Sequence, residues 1–220
     1  MKTALITGAN RGIGLEIARQ LQQQDYQVIA LCRQPSAELE SLGVEIVTDC
    51  DVTDDAALDQ LSAQLSDKKI DLLINNAGIL KGMNLDSLDY DAIRQQFEVN
   101  AIAPLKVTQK MLPHLQENAK VAIITSRMGS MGDNTSGSHY GYRMSKAAVN
   151  MVGKSLSLDL QDRGIAVGLL HPGYVKTGMT GGNGEIEAPQ AAQGLIQRMH
   201  ELNLQNSGGF WHANGQQLPW

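Results

Sequence analysis

The chain has little of what marks several kinds of protein. Its 220 residues include two cysteines, Cys32 and Cys50. Two are too few for a disulfide framework and lack a metal-ligand spacing, so reduced thiols and no bound metal are expected. No stretch approaches the ~18 consecutive apolar residues of a membrane span. The first apolar run, Ala4-Leu5-Ile6, stops at Thr7-Gly8, too soon for a secretory signal. A cytoplasmic protein is therefore expected, without a membrane partner. The formal net charge of −5 speaks against a nucleic-acid surface. No block of like charge suggests a disordered tail. Neither an internal repeat nor a linker divides the sequence, and its length suits one α/β domain over residues 1–220.

What the chain has in excess is glycine, 22 of 220 residues, against ~7% in an average protein. The glycines gather at particular turns. Between those turns, short apolar runs alternate with helical patterns. The runs are Ala4–Ile6, Val28–Leu31, Val44–Val47, Leu72–Ile74, Val121–Ile124 and Ile165–Leu170. Helical spacing joins Ile13, Ile17 and Leu21, then Leu58, Leu61 and Leu65, then Leu195, Met199 and Leu202. Strands that are apolar throughout and alternate with helices predict a parallel sheet covered on both faces. The expected fold is a Rossmann-type, doubly wound α/β sheet of about seven strands with right-handed crossovers. Regions 81–118 and 142–163 read as long, unusually apolar helices. Val149, Met151, Val152, Leu156 and Leu160 spread apolar surface around the second, which suggests a homo-oligomer, a dimer or tetramer.

Thr7-Gly8-Ala9-Asn10-Arg11-Gly12-Ile13-Gly14 follows the first run and opens the first helix. A glycine turn in that place lets main chain approach a pyrophosphate, and the helix N-terminus adds free N–H groups and a favourable dipole. Further on, Tyr142 and Lys146 stand four residues apart, on one face of a helix. Free tyrosine titrates near ~10. A neighbouring ammonium and the first turn of a helix both favour phenolate, so a lowered Tyr142 pKa is expected.

With the glycine loop, Ser126, Tyr142 and Lys146 in this order, the chain resembles the short-chain dehydrogenase/reductase family. Asn75-Asn76-Ala77-Gly78, Asp51-Val52, Asn100 and Pro172-Gly173 with Thr177 are similar to further motifs of that family. Together they span essentially the whole chain. Asp133–Gly137, the segment Tyr142–Lys146 and the ending Gly208-Gly209-Phe210-Trp211 … Leu218-Pro219-Trp220 resemble a narrower branch, the sniffer-type carbonyl reductases and C-factor proteins. One departure is the sixteen-residue step from Ser126 to Tyr142, about three longer than the family's commoner spacing. The glycine-rich loop between them can absorb it. Ser130 is the rival for the serine's role.

The resemblance implies a cofactor half over about 1–100 and a catalytic, substrate-side half over about 100–220. It implies a catalytic set of Asn100, Ser126, Tyr142 and Lys146. Tyr142 would be the proton donor in reduction, and Lys146 would lower its pKa and bind the nicotinamide ribose. Ser126 would hydrogen-bond the substrate oxygen, and Asn100 would hold a water that returns protons to Lys146. Cofactor contacts are expected from Gly8, Asn10, Arg11, Gly12, Ile13, Gly14, Arg33, Asp51, Val52, Asn76, Ala77, Gly78, Tyr142, Lys146, Pro172, Gly173, Val175 and Thr177. Where NAD-preferring relatives carry a carboxylate, the second run ends in Leu31-Cys32 and is followed by Arg33. Arg33, with Arg11, suits a 2′-phosphate, so NADP(H) is the expected cofactor. The expected activity is reduction of an aldehyde, ketone or quinone. A C-factor-like signalling protein and a reductase of acyl-carrier or other specialised substrates are the alternatives. His139, Tyr140 and Tyr174 are candidates for the substrate entrance, His171 for a structural residue, and Gly178–Pro189 for a short lid.

Overall fold

The computed structural model describes residues 1–220. In chain order the main elements are β1 (Thr3–Thr7), α1 (Gly12–Gln22), β2 (Gln27–Leu31), α2 (Ala37–Glu40), β3 (Glu45–Val47), α3 (Asp55–Gln64), β4 (Ile70–Asn75), α4 (Tyr90–Phe97), α5 (Ala103–Met111), β5 (Leu115–Ile124), α6 (Tyr140–Asp159), β6 (Ala166–His171), β7 (Val175–Lys176), β8 (Ile186–Glu187), α7 (Ala188–Glu201) and β9 (Phe210–His212). Seven strands form one parallel sheet in the order β3-β2-β1-β4-β5-β6-β9, and β7 and β8 pair separately. The order reverses between β1 and β4, and such a switch point opens a crevice at the carboxyl ends of the strands.

Successive residues of a strand face opposite sides of the sheet. Leu5 therefore joins one apolar layer with Leu58, Val107, Val149 and Leu156, on the side of α3, α5 and α6. Ala4 and Ile6 join the other, with Ile17, Leu21, Leu195 and Met199 of α1 and α7. All six expected runs fall on strands, with Val44 and Ile165 one residue ahead of β3 and β6. The cysteines are buried and free, one in each layer.

The sequence patterns were less accurate elsewhere. Region 81–118 is not one helix. It opens as loop with a 3₁₀ turn at Leu85–Ser87, and its last residues already belong to β5. Asp89 caps α4 by accepting from the Ala92 N–H (3.0 Å). The helix then passes through a π turn, Glu98–Ile102, into α5. The seventh strand, Phe210–His212, is only three residues long and carries too short a pattern to be read as one. On α6, Val149, Leu156 and Leu160 point inward, whereas Met144, Met151 and Leu158 form an exposed stripe at spacing seven.

Candidate active site

The cofactor side of the crevice is stitched together by main chain. Gly8 has φ +67°, and a Cβ there would lie 2.9 Å from the Ala77 Cα. A Cβ on Gly14 would lie 2.4 Å from the Gly8 carbonyl and 2.5 Å from Asn76 Nδ2. Glycine is required at both positions by close approach. Thr7 Oγ1 accepts from the N–H groups of Asn76 and Ala77 (3.0 Å each). Asn76 Nδ2 donates to the carbonyls of Thr7 and Gly8 (3.0 and 3.1 Å). The ends of β1 and β4 are thereby locked at the switch point, and Gly12–Gly14 start α1 over the crevice. Asn10 ties this loop to the Gln34 carbonyl (3.1 Å).

Arg33 follows β2 and lies 4.0 Å from Asp51 in a well-exposed pair. Asp51 Oδ1 also accepts from the Thr53 N–H and hydroxyl, and Val52 is buried beside it. The expectation that Arg11 shares a site with Arg33 meets a different arrangement. The Arg11 guanidinium lies by the Gly178 turn, 4.0 Å from where a Cβ on Gly178 would be. On the far side Pro172 and Gly173 follow β6, Val175 is buried in β7, and the Thr177 methyl comes within 3.5 Å of a Cβ position on Gly12. The glycine-rich segment expected to be a lid is anchored at its base, where Tyr174 accepts from the N–H groups of Glu185 and Ile186. A glycine cradle at a helix N-terminus, open to solvent and flanked by an arginine, fits a dinucleotide with a 2′-phosphate.

The other wall is made by α6. Tyr142 lies in its first turn and Lys146 one turn later, both buried. Lys146 Nζ donates to the Ile124 carbonyl (2.9 Å) and lies 5.7 Å from the centre of the Tyr142 ring. Ser126 closes β5. Its Oγ accepts from the Met128 N–H (3.1 Å), which leaves its own proton free to donate. Ser130, the rival serine, is turned away and accepts from the Asp133 N–H (3.1 Å).

The expected lowering of the tyrosine pKa is not found. Burial pushes the Tyr142 phenol up to about 12, with the Ser126 hydroxyl pulling it back slightly. Burial likewise lowers the Lys146 ammonium to about 8. Desolvation sets the direction in both groups, and only Tyr142 has a neighbour, Ser126, acting against it.

Asn100 is held by its side-chain amide. Its Oδ1 accepts from the Ile79 N–H (2.8 Å), and its Nδ2 donates to the Ile79 carbonyl (2.9 Å) and to Ser145 Oγ (3.0 Å). Both amide protons are used, so the side chain braces the π turn against α6 and the Gly78 loop. Pro104 cannot supply the i→i−4 N–H that would otherwise occupy the Asn100 carbonyl. Asn100 Oδ1 and Lys146 Nζ stand 3.3 and 3.9 Å from the Cβ position of Gly78, so both reach the same small space.

His171 ends β6 beside His212. Burial, with nearby His212 and Arg127, holds it near 3, so it stays neutral, edge-on to His212 (4.9 Å). His139 packs on Gly82 in a left-handed conformation (φ +50°). Sequence reasoning missed Thr7 and Ser145, whose side chains lock the two walls, and Arg143, which bonds Gly137, Met128 and Ser136 across the 127–139 loop. A threonine ending the first strand and an arginine beside the tyrosine were visible, but their partners were not.

A seven-stranded parallel sheet with a glycine cradle at its switch point defines a nucleotide-binding fold of the Rossmann class. The short chain dehydrogenase model matches residues 2–188, and the chain belongs to the short-chain dehydrogenase/reductase family. It is 44% identical, over the full length of both chains, to the 1-hydroxy-2-glutathionyl-2-methyl-3-butene dehydrogenase of Rhodococcus sp. (strain AD45). It is 44% identical to the C-signal of Myxococcus xanthus, over 69% of this chain and 93% of that one. Among solved structures, the carbonyl reductase Sniffer of D. melanogaster superposes with a TM-score of 0.94 at 31% identity, covering both chains fully. The NADPH-bound carbonyl reductase from chicken fatty liver gives 0.92 at 31%, covering 100% of this chain and 99% of that one. No helix of the protein is long and apolar enough to cross a membrane.

Proposed function

We propose that the protein is an NADPH-dependent reductase of aldehydes, ketones or quinones, with Tyr142 as the proton donor. The observation that carries this reading is the convergence of a buried, protonated phenol, a free serine proton and a buried ammonium on the cleft that the glycine cradle opens. NADPH is favoured by Arg33 in place of a carboxylate after β2, and by the NADPH-bound relative. Gly8, Gly12 and Gly14 would hold the pyrophosphate at the N-terminus of α1, and Arg33 the 2′-phosphate. When bound, the cofactor supplies the hydride.

This chain's residues then handle the oxygen. The Ser126 hydroxyl donates to it and orients the carbonyl, a contact commonly worth ~3 kcal/mol as negative charge develops. Tyr142, kept protonated at neutral pH by burial, donates its proton as the alkoxide forms. Lys146 is still cationic at pH 7 with its pKa near 8, and it stabilises the phenolate left behind. Lys146, with the Asn100 carbonyl that Pro104 leaves without its i→i−4 donor, then offers a route for the returning proton.

NADPH and NADH oxidation should be followed with a panel of aldehydes, ketones and quinones, on wild type and Tyr142→Phe. Turnover with NADPH that vanishes in the variant supports the reading. Absence of turnover by a protein that binds NADPH would overturn it.

A second reading, oxidation of an alcohol on a glutathione-type thioether conjugate, is favoured by the full-length identity to the Rhodococcus dehydrogenase. S-hydroxyalkyl glutathiones with NADP⁺ or NAD⁺ test it. The exposed stripe Met144, Met151 and Leu158 further supports a homodimer through α6. Sedimentation of wild type and Met151→Glu reads this directly.

A further inference from the structure

Tyr142, Lys146 and Asn150 recur every four residues and share one face of α6. The first two have places in the proposed reaction, whereas the third, only 3% exposed, has none. We propose that Asn150 is a positioning residue that sets the Ser126 turn in register with the Tyr142–Lys146 helix.

The geometry is direct. Asn150 Oδ1 accepts from the buried Thr125 hydroxyl at 2.7 Å, and its Nδ2 donates to the Gly129 carbonyl at 3.5 Å. Thr125 is the residue before Ser126, and Gly129 the third residue after it. One amide on the tyrosine helix therefore holds both shoulders of the serine turn. Each shoulder is fixed from a second side. The Thr125 N–H donates to the Leu170 carbonyl (2.8 Å), which anchors it to the sheet, and the Gly129 N–H donates to the Ser126 carbonyl (2.8 Å). The turn lies flat on α6, where a Cβ on Gly129 would come within 2.6 Å of the Lys146 carbonyl carbon. Contact alone resists the turn moving into the helix. It does not prevent sliding along the helix or lifting away from it, and the directional bonds of Asn150 do. A buried amide is costly unless bonded. An aliphatic residue of similar size would fill the position without that cost.

The shorter bond to Thr125 is the stronger anchor. Removing either partner should let the Ser126 hydroxyl drift relative to the Tyr142 phenol. Misplacement on the order of 1 Å costs about 100-fold in favourable cases. Nothing in this network touches the glycine cradle or Arg33, so cofactor binding should be untouched.

The test compares Asn150→Leu, Thr125→Val and Thr125→Ser with wild type. The readouts are turnover of phenanthrenequinone, the NADPH dissociation constant by fluorescence titration, thermal stability, and hydrogen exchange at the Met128–Ser130 amides. The expected kcat falls about 10- to 100-fold in Asn150→Leu and less in Thr125→Val, with NADPH affinity held within about twofold. Turn amides exchange faster, Thr125→Ser restores both properties, and the double variant is no worse than Asn150→Leu alone. Folded variants with wild-type kcat and wild-type exchange would overturn the proposal. So would a kcat loss matched by equal losses of NADPH affinity and stability, the signature of a merely structural residue. The inference rests on the reductase reading, and Ser126→Ala separates the two. If Ser126→Ala retains wild-type turnover, the reading of the reaction fails, while the exchange rates still decide whether Asn150 orders the turn.

Discussion

The two walls of the cleft are built by different means. On the β1–α1 side the working surface is main chain, held by glycines whose missing side chains let Gly8, Gly14, Asn76 and Ala77 touch. On the α6 side it is buried side chains, each tied to a remote partner: Lys146 to Ile124, Asn100 to Ile79 and Ser145, Asn150 to Thr125 and Gly129. The first wall recognises a ligand shared by many reactions and needs shape. In the proposed reaction the second would move a proton, and it places groups where burial shifts their titration. Damage to the first wall should appear in cofactor affinity, and damage to the second in turnover.

The sharpest break is Tyr142→Phe. It keeps the ring and removes the proton, and general acid catalysis contributes about 10²–10⁴-fold. The expected result is a kcat lower by about that factor with NADPH affinity unchanged. An equal fall in affinity would erase the proposed division between the walls.

Gly14→Ala is the counterpart. Its Cβ would meet a carbonyl and an amide nitrogen at 2.4 and 2.5 Å, so β1, α1 and Asn76 must separate. Strain of that kind typically costs about 1–3 kcal/mol, as overpacking does elsewhere. The NADPH dissociation constant should rise about 10- to 100-fold, together with a lower melting temperature. Residual turnover at saturating cofactor should stay close to wild type. Arg33→Ser should weaken NADPH by about 1.5–3 kcal/mol, the worth of a hydrogen bond to a charged group. It should leave NADH unaffected, a ratio that fluorescence titration with both cofactors reads directly.

The same contrast explains what the sequence made legible. Glycine spacing, apolar runs and the Tyr142–Lys146 step are local patterns, so the sheet, the cradle and the helix face could be read directly. Asn100, Asn150 and Thr7 act through partners distant in the chain, and a polar residue on an apolar face does not announce what it will bond. The failed expectation for the Tyr142 pKa has the same origin. The neighbouring lysine is visible at spacing four, whereas the burial that raises the phenol's pKa depends on the whole fold. The β9 strand stayed hidden because three residues carry too little periodicity to register.

Lys146 gives the smallest effect on stability, and its sign is easily misjudged. Its pKa falls from 10.5 to about 8 on folding because burial disfavours the ammonium. Below pH 8 both states carry the proton, and the folded state bears the full desolvation cost. Between pH 8 and 10.5 the unfolded chain binds more protons, so stability rises with pH. Tyr142 acts oppositely. Its pKa rises from 10.0 to about 12, so stability is kept below pH 10 and lost as pH climbs from 10 to 12. Burial also pushes the Cys50 thiol from 9.0 up to about 11, so stability is lost there from pH 9 upward, and the three groups should place a stability maximum at about pH 9–10, measurable by denaturant titration across pH 7–12. Lys146→Met removes the buried charge but leaves the Ile124 carbonyl without its donor. These terms partly cancel, leaving a net gain of about 1 kcal/mol at pH 7, while turnover drops sharply. The rise between pH 8 and 10 should disappear in this variant. If the rise persists, another group carries the alkaline dependence, and burial of the ammonium is not what the second wall gives up for its chemistry.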